Sequence, residues 1–238
     1  MKPSFSVVLI ARNEEKTLPR LLESLKEFRE LGGEIIVCDT GSTDKTVEVA
    51  REAGCKVEEV GDRFVNIITK EQAEEINRRF VVEGEEPILK EGDRLFHFSD
   101  ARNYAASLAS NDWIWMPDCD EVFTRFDLQA IEDALKDPSV SRLSYQFIFA
   151  HDPQGLPSVQ FLHSKMYRRD LMKWRGCVHE VLDGTGNEVY LSEDKILLEH
   201  FQNTDTVRSG YLKGLAFASL AGQSSAESPH RAAHYFAR

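Results

Sequence analysis

Short apolar runs alternate with segments of helical periodicity through the first hundred and twenty residues. Runs at 5–10, 34–38, 55–60 and 113–116 are typical of buried strands. Between the first two, leucine and phenylalanine recur at helical spacing until Gly32 and Gly33. Continuous apolar strands separated by helices predict a mostly parallel sheet that is covered on both faces. We therefore expect an α/β fold with a doubly wound sheet flanked by helices.

A charged insertion at 61–98 interrupts this alternation. Thr69 and Gln72 have the spacing of a capping box, which predicts a short helix. The apolar runs on either side of 83–87 are expected to pair as a hairpin. Two interpretations stay open for this insertion: a solvated decoration, or a flap that covers a substrate.

The pattern changes after residue 149. Strand-like runs follow at 158–162, 165–167, 177–182 and 196–199, and a helical pattern begins at 206. We expect one domain at 1–204, with a first half at 1–125 and a second half at 126–204. A helical extension is expected at 205–238, and because its pattern persists to the last residue, we expect the chain to be truncated.

The charge balance, the apolar runs and the cysteines of the chain limit its expected partners and location. The 238 residues include 40 acidic and 29 Lys or Arg side chains, a formal net charge of −11. This balance disfavours nucleic acid and anionic membrane surfaces as partners. No apolar run approaches the roughly 20 residues of a membrane span, and the N-terminus has the pattern of a strand. The four cysteines lack zinc-site spacing, which indicates reduced thiols and a cytoplasmic location.

Polar residues follow three of the predicted strands directly. Parallel sheets bind ligands beyond the carboxyl ends of their strands, which selects residues 12–14, Asp39 with the 41–44 turn, and 118–121. Asp118 and Asp120 are two residues apart and point to the same side of an extended segment. Hard oxygen ligands at this spacing suit Mg²⁺ or Mn²⁺, and such an ion bridges a diphosphate.

Four motifs occur in order at these positions: ARNEE at 11–15, DTGSTD at 39–44, DARN at 100–103 and PDCDE at 117–121. In this order they resemble glycosyltransferase family 2, which has the GT-A fold. The resemblance covers residues 4 to about 125 apart from the insertion. The later segment WRGCVHE at 174–180 resembles the G-x-V-H-E segment on the acceptor side of bacterial members.

The resemblance implies a nucleotide-sugar donor, most commonly a UDP-sugar, and an inverting reaction. It implies that Asp39 bonds the base and that Asp118 and Asp120 handle the diphosphate, the ribose and the metal. The remaining donor-binding residues that it implies are Ala11, Arg12 and Glu14 beside the nucleotide, and Arg102 or Asn103 beside the donor. The acceptor is left open among a glycan, a peptide and a small molecule.

Glycosyl transfer also requires a general base for the acceptor, commonly a carboxylate. Glu180 and Glu121 are the candidates, and we prefer Glu180 because Glu121 adjoins the aspartate pair. His179 or His200 is expected to complete the metal site as a nitrogen ligand, which favours Mn²⁺. His163 and His97 are interpreted as core or loop residues, and Asp39 is expected to be buried without a partner.

Two other classes of function are considered. The sequence DCDEV at 118–122 also fits a haloacid-dehalogenase-like phosphatase with Asp118 as nucleophile. That motif normally opens its domain, whereas three predicted strands precede it here. The second alternative is a nucleotide-sugar-binding module without catalytic activity. Hydrolysis of nucleotide sugars in the presence of Mn²⁺ distinguishes these interpretations.

Overall fold

The structure, a computed structural model, describes residues 2–178 and 180–201. His179 and the predicted extension at 205–238 lie outside these residues. The elements in chain order are β1 (Phe5–Ala11), α1 (Leu18–Ser24), α2 (Lys26–Glu30), β2 (Glu34–Asp39), α3 (Thr46–Glu52), β3 (Lys56–Glu59), β4 (Val65–Ile67), α4 (Lys70–Phe80), β5 (Arg94–Phe96), α5 (Phe98–Ser107), β6 (Trp113–Trp115), β7 (Glu121–Phe126), α6 (Leu128–Ala134), β8 (Val140–His151), β9 (Pro157–Arg168), β10 (Met172–Arg175), β11 (Val181–Gly184), β12 (Asn187–Tyr190) and β13 (Ile196–His200).

The chain divides into two compact units. Of the described residues, the first unit contains 2–61, 102–173 and 182–201, and the second contains 62–101, 174–178 and 180–181. The predicted domain boundaries, with an extension that begins at 205, stay a prediction.

Within the described residues, a nine-stranded sheet forms the centre of the first unit. Eight strands follow the order β3-β2-β1-β6-β9-β8-β13-β7, and β12 pairs with β8. β1, β2, β3 and β6 run parallel, whereas β9 is antiparallel to both β6 and β8. The expected α/β fold with a mostly parallel sheet is confirmed. The strand order reverses between β1 and β6, so the crevice at this switch point is bounded by the loops that follow these two strands.

The core of the first unit is aromatic around Trp115. This side chain is fully buried, and its ring centroid lies 4.6 Å from that of Phe123 and 5.2 Å from that of Tyr145. The indole Nε1 donates a hydrogen bond of 3.0 Å to the Tyr145 hydroxyl, so the polar atoms of both rings are paired inside the core. This packing supports the strand β6 that leads directly into Asp118.

The helix expected between the first two strands is divided. It ends at Ser24 and resumes at Lys26, because Leu25 has ψ at 18° and leaves the helical conformation. The apolar face is retained, since Leu21, Leu25 and Phe28 are all fully buried.

The second unit contains the charged insertion. The capping box of Thr69 and Gln72 is present at the start of α4, as the sequence predicts. The expected hairpin around 83–87 is wrong: the paired strands are β4 and β5. The segment after α4 instead folds back as a loop, since the side chain of Asn77 bonds both backbone groups of Leu89. Leu89 is thereby buried against Ile68, Ala73, Ile76 and Leu95.

The strand predictions after residue 149 are partly correct. The runs at 158–162 and 165–167 belong to one long strand, β9, and the run at 196–199 is β13. The run expected at 177–182 is wrong, because β11 begins only at Val181. Among the described residues, no helix is long and apolar enough to cross a bilayer.

Candidate active site at the carboxyl ends of the strands

The loops that follow β1 and β2 are joined by side-chain to backbone hydrogen bonds. Asn13 has φ of +59°, a conformation that asparagine tolerates better than most residues. Its Oδ1 accepts from the backbone N–H of Thr43 at 2.8 Å, and its own N–H donates to Ser42 Oγ at 2.9 Å. The N–H of Glu14 donates to Thr46 Oγ1 at 2.7 Å. The ARNEE and DTGSTD motifs therefore form one connected surface.

Asp39 ends β2 and its side chain is buried, but it is not unpaired as the sequence led us to expect. Its Oδ2 accepts hydrogen bonds of 3.1 Å from the backbone N–H groups of Gly41 and Ser42. Gly41 has φ of +95°, a conformation that residues with a side chain rarely adopt. The carboxylate therefore stabilises the turn that follows it.

Ala11, Arg12 and Glu14 lie at the end of β1 and in its loop. Ala11 is buried, and its carbonyl accepts from the backbone and the hydroxyl of Thr40. Arg12 is exposed, and Glu14 is half-buried. Burial raises the pKa of Glu14, with a further contribution from the charges of Asp120 and Asp118. Glu14 is thus electrostatically coupled to the aspartate pair that follows β6.

Asp118 is held between two cations. Its Oδ1 accepts from Arg102 Nη2 at 2.7 Å, and its Oδ2 accepts from Lys165 Nζ at 2.6 Å. Burial acts to raise the pKa of Asp118, but the charges of Lys165 and Arg102 outweigh it and hold the pKa well below its usual range. The carboxyl group is therefore ionised. Arg102 itself is buried near the start of α5, next to the half-buried Asn103.

Lys165 also neutralises Glu121. Its Nζ lies 2.6 Å from Glu121 Oε1, and Glu121 Oε2 accepts from the backbone N–H of Asp118 at 3.0 Å. Burial raises the pKa of Glu121 to about 7, an effect that the charge of Lys165 opposes. Because both carboxylate oxygens of this buried side chain are engaged inside the protein, Glu121 is a structural partner of the 118–121 turn.

The sequence analysis did not identify Lys165. A single lysine in a strand-like run is usually exposed, and the pattern carries no sign of a buried partner. Here Lys165 lies on β9 directly before the buried Met166 and Tyr167, and its side chain is 7% exposed. The available signal was the surplus of carboxylates expected at one sheet edge, which requires a cation nearby.

Asp120 and His200 are brought together although 80 residues separate them. His200 Nε2 lies 2.9 Å from Asp120 Oδ2, and His200 Nδ1 lies 3.2 Å from the carbonyl of Phe149. β13 pairs with β7 so that His200 is opposite Glu121, which sets this approach. The hydrogen bond to Asp120 raises the pKa of His200.

The pair offers one oxygen and one nitrogen ligand, a set that suits Mn²⁺ better than Mg²⁺. Among residues 2–178 and 180–201, no three His, Cys, Asp or Glu side chains are grouped to hold a metal ion. A cation held by Asp120 and His200 would need further ligands, such as waters or the oxygens of a bound phosphate.

Glu180 is half-buried and belongs to the second unit. Asp118, Asp120 and His200 belong to the first unit.

The sheet order and the polar strand ends define the GT-A fold. The likeness to S. aureus TarS shows the same fold: the TM-score is 0.52 at 18% identity, covering 96% of this chain and 41% of that one. The TarS 1–349 structure in complex with UDP gives a TM-score of 0.51 at 15% identity, covering 96% of this chain and 68% of that one.

Residues 6–74 match the sequence model of glycosyl transferase family 2. The 4,4'-diaponeurosporenoate glycosyltransferase of Staphylococcus haemolyticus is 54% identical over 54 residues, which are 23% of this chain and 14% of that protein. A TPR repeat-containing protein of Synechococcus elongatus is 34% identical over 116 residues, which are 49% of this chain and 20% of that protein. The chain thus spans a fifth or less of these curated relatives.

The match of residues 6–74 to the glycosyl transferase model favours the glycosyltransferase interpretation over the phosphatase alternative. A phosphatase nucleophile must reach the substrate phosphorus. Both carboxylate oxygens of Asp118 already accept hydrogen bonds, one from Arg102 and the other from Lys165. This disfavours Asp118 as such a nucleophile.

Proposed function

We propose that the chain transfers a sugar from a nucleoside-diphosphate sugar to a glycan, peptide or small-molecule acceptor. The observation that carries the proposal is the Asp120–His200 pair at the switch point of the sheet. It lies beside Asp118, which is paired with Arg102 and Lys165. The match of residues 6–74 to the glycosyl transferase family 2 model supports the reaction class, and the resemblance of the motifs supports an inverting course.

The donor site is proposed at the joined loops after β1 and β2. Asp39 is assigned to the base, and Ala11, Arg12 and Glu14 line the nucleotide. Arg102 or Asn103 steadies the donor, and Asp118 contributes through its contact with Arg102. UDP is the proposed nucleotide, since one TarS structure contains it, although that likeness concerns the fold alone.

Asp120 and His200 are proposed to hold Mn²⁺ or Mg²⁺, with His179 as a further candidate ligand. When bound, such an ion stabilises the negative charge that develops on the leaving diphosphate. The residues themselves fix the geometry: His200 is oriented by the Phe149 carbonyl, and Asp120 by the turn that Glu121 and Lys165 stabilise.

Glu180 is proposed as the general base that accepts the proton of the acceptor hydroxyl group.

A cytoplasmic location is proposed because the four cysteines are free thiols: Cys38, Cys55, Cys119 and Cys177.

The test measures UDP affinity and the hydrolysis of a panel of UDP-sugars with Mn²⁺ or EDTA present. We expect Asp120→Asn and His200→Gln to remove the Mn²⁺ dependence of UDP binding. Asp133→Asn, which changes an exposed carboxylate on α6, is the control and should behave as wild type. UDP binding that is indifferent to EDTA in the wild type would contradict the metal assignment. Binding without turnover would favour the non-catalytic module.

A further inference from the structure

One face of the β8–β9 hairpin carries aromatic side chains beside the candidate site. Alternate residues of a strand share a face, which places Phe161 and His163 together on β9. The ring of Phe161 lies 5.4 Å from that of Phe147 and 6.2 Å from that of Phe149 on β8. We call Phe147, Phe149, Phe161 and His163 the aromatic face.

The outer part of the aromatic face is open to solvent. Phe149 is 42% exposed and Phe161 is 43% exposed, and neighbouring Val159 is also exposed. Residues 153–162 contain no charged side chain, although 29% of the whole chain is charged. Single exposed apolar residues are ordinary, but a contiguous group of them beside a polar site is typical of a ligand-binding surface.

The aromatic face is continuous with the proposed metal-binding pair. The ring of Phe149 stacks on that of His200 at 5.2 Å with an interplanar angle of 14°. The carbonyl of Phe149 lies 3.2 Å from His200 Nδ1, and the other ring nitrogen of His200 faces Asp120. A molecule lying on Phe149 and Phe161 therefore reaches the point where sugar transfer is proposed.

His163 supplies a polar group within this apolar surface. Its ring lies 5.1 Å from that of Phe147 and 5.8 Å from that of Phe161. Burial, with the charge of Lys165, lowers the pKa of His163 to about 3, so the imidazole is neutral and has one donor and one acceptor. Within the described part of the chain, neither ring nitrogen of this half-buried side chain has a hydrogen-bond partner.

We propose that the aromatic face is the acceptor subsite and takes a carbohydrate ring, with Phe149 and Phe161 against the ring and His163 bonded to a hydroxyl group. This assignment rests on the proposed glycosyltransferase function and names the acceptor class. Binding sites commonly combine an apolar lining with a few polar groups that orient the ligand. An alkyl chain fits less well, because it would bury the nitrogens of His163 without hydrogen bonds.

The experiment uses saturation-transfer NMR on the full chain. The probes are methyl glycosides of glucose, galactose, mannose and N-acetylglucosamine, together with octyl glucoside below its micelle concentration. We expect saturation of the sugar-ring protons of at least one methyl glycoside, and of the ring but not the octyl chain in octyl glucoside. Saturation of the octyl chain alone, or of no probe, overturns the assignment.

Matched variants locate the contact. Phe161→Ala should weaken binding of the responding glycoside about two- to tenfold, the range expected for one aromatic contact. Leu162→Ala is the control, because Leu162 is exposed on the opposite face of the same strand. His163→Ala should weaken binding, and His163→Asn should restore part of it by supplying a donor and an acceptor. Equal losses in Phe161→Ala and Leu162→Ala overturn the assignment.

The failure of this subsite and the failure of the proposed function are distinguishable. Wild-type protein that binds UDP and hydrolyses a UDP-sugar, but shows no ring contact with any glycoside, retains the function and loses the subsite. If the protein binds no nucleotide and hydrolyses no donor, the proposed function is wrong, whether or not a glycoside shows saturation transfer.

Discussion

Lys165 and Glu121 form a buried ion pair in which Nζ and Oε1 are 2.6 Å apart. Their side chains are 7% and 2% exposed, and the same ammonium group contacts Asp118. One cation thus holds both ends of the turn that presents Asp120 to His200. The rigidity of this turn depends on a residue 44 positions away from it.

Lys165→Met should destabilise the protein by about 3–5 kcal/mol, because it leaves the buried Glu121 carboxylate without its cation and removes one of the two cations that pair with the partly exposed Asp118. Urea unfolding at neutral pH measures this loss. Lys136→Met is the control: Lys136 pairs with Asp133 at the surface, and its removal should cost less than about 1 kcal/mol. If Lys165→Met loses no more stability than the control, the Lys165–Glu121 pair contributes little to the free energy of unfolding.

The double variant Lys165→Met/Glu121→Gln tests the coupling directly. Because each single change removes a partner of the other residue, the combined loss should be smaller than the sum by about 0.5–3 kcal/mol. Additive losses would indicate that Lys165 and Glu121 act independently.

Asp39→Ala should weaken UDP binding and lower the unfolding temperature. The carboxylate accepts from the backbone N–H groups of Gly41 and Ser42, and its loss leaves them unpaired at a cost of about 1–3 kcal/mol. Asp39→Asn should lose less stability, since its side-chain oxygen still accepts a hydrogen bond. Thermal unfolding and UDP titration of both variants check this prediction. A higher unfolding temperature in Asp39→Ala would contradict it.

Glu180→Gln should lower kcat by about 10²- to 10⁴-fold with little change in donor affinity, as expected for loss of a general base. The comparison is Glu121→Gln, which alters the buried partner of Lys165 and should reduce stability and donor binding together. Measuring donor Kd, turnover and unfolding for both variants distinguishes the two glutamates. Near-wild-type turnover in Glu180→Gln would exclude it as the base.

Glu34 should make the stability of the first unit acid-sensitive. Burial acts to raise its pKa, but Lys56, Ser6 and Ser110 lower it from 4.5 to about 2. A depressed pKa stabilises the folded state fully above pH 4.5, and this contribution is lost as the pH falls toward 2. At neutral pH the contribution is about 3 kcal/mol.

Unfolding of the wild type and Glu34→Gln as a function of pH measures this contribution. The stability difference between them should shrink as the pH falls from 4.5 to 2. Glu74→Gln, at an exposed pair with Lys70, is the control and should change stability little at any pH. A constant difference across this range would show that Glu34 titrates normally.

The strands and their functional ends were predictable because their signals are local. Apolar runs mark β1, β2 and β6, and parallel strands place their carboxyl ends at one edge whatever the remaining packing is. For this reason the positions of Asp39, Asp118 and Asp120 at or just after strand ends could be predicted from the sequence. The capping box at Thr69 was found for the same reason, since both partners lie within one turn of helix.

The partners of these residues were decided by the tertiary structure. The pairing of Asp120 with His200 depends on the register of β13 against β7, and the contact of Lys165 with Glu121 depends on β9 lying next to β6. The hairpin expected around 83–87 failed because burial of Leu89 in the second unit outweighed local strand preference. Sequence by itself determined which residues stand at the strand ends. Long-range packing decided which charges meet there, because contacts between distant segments leave no periodic signal along the chain.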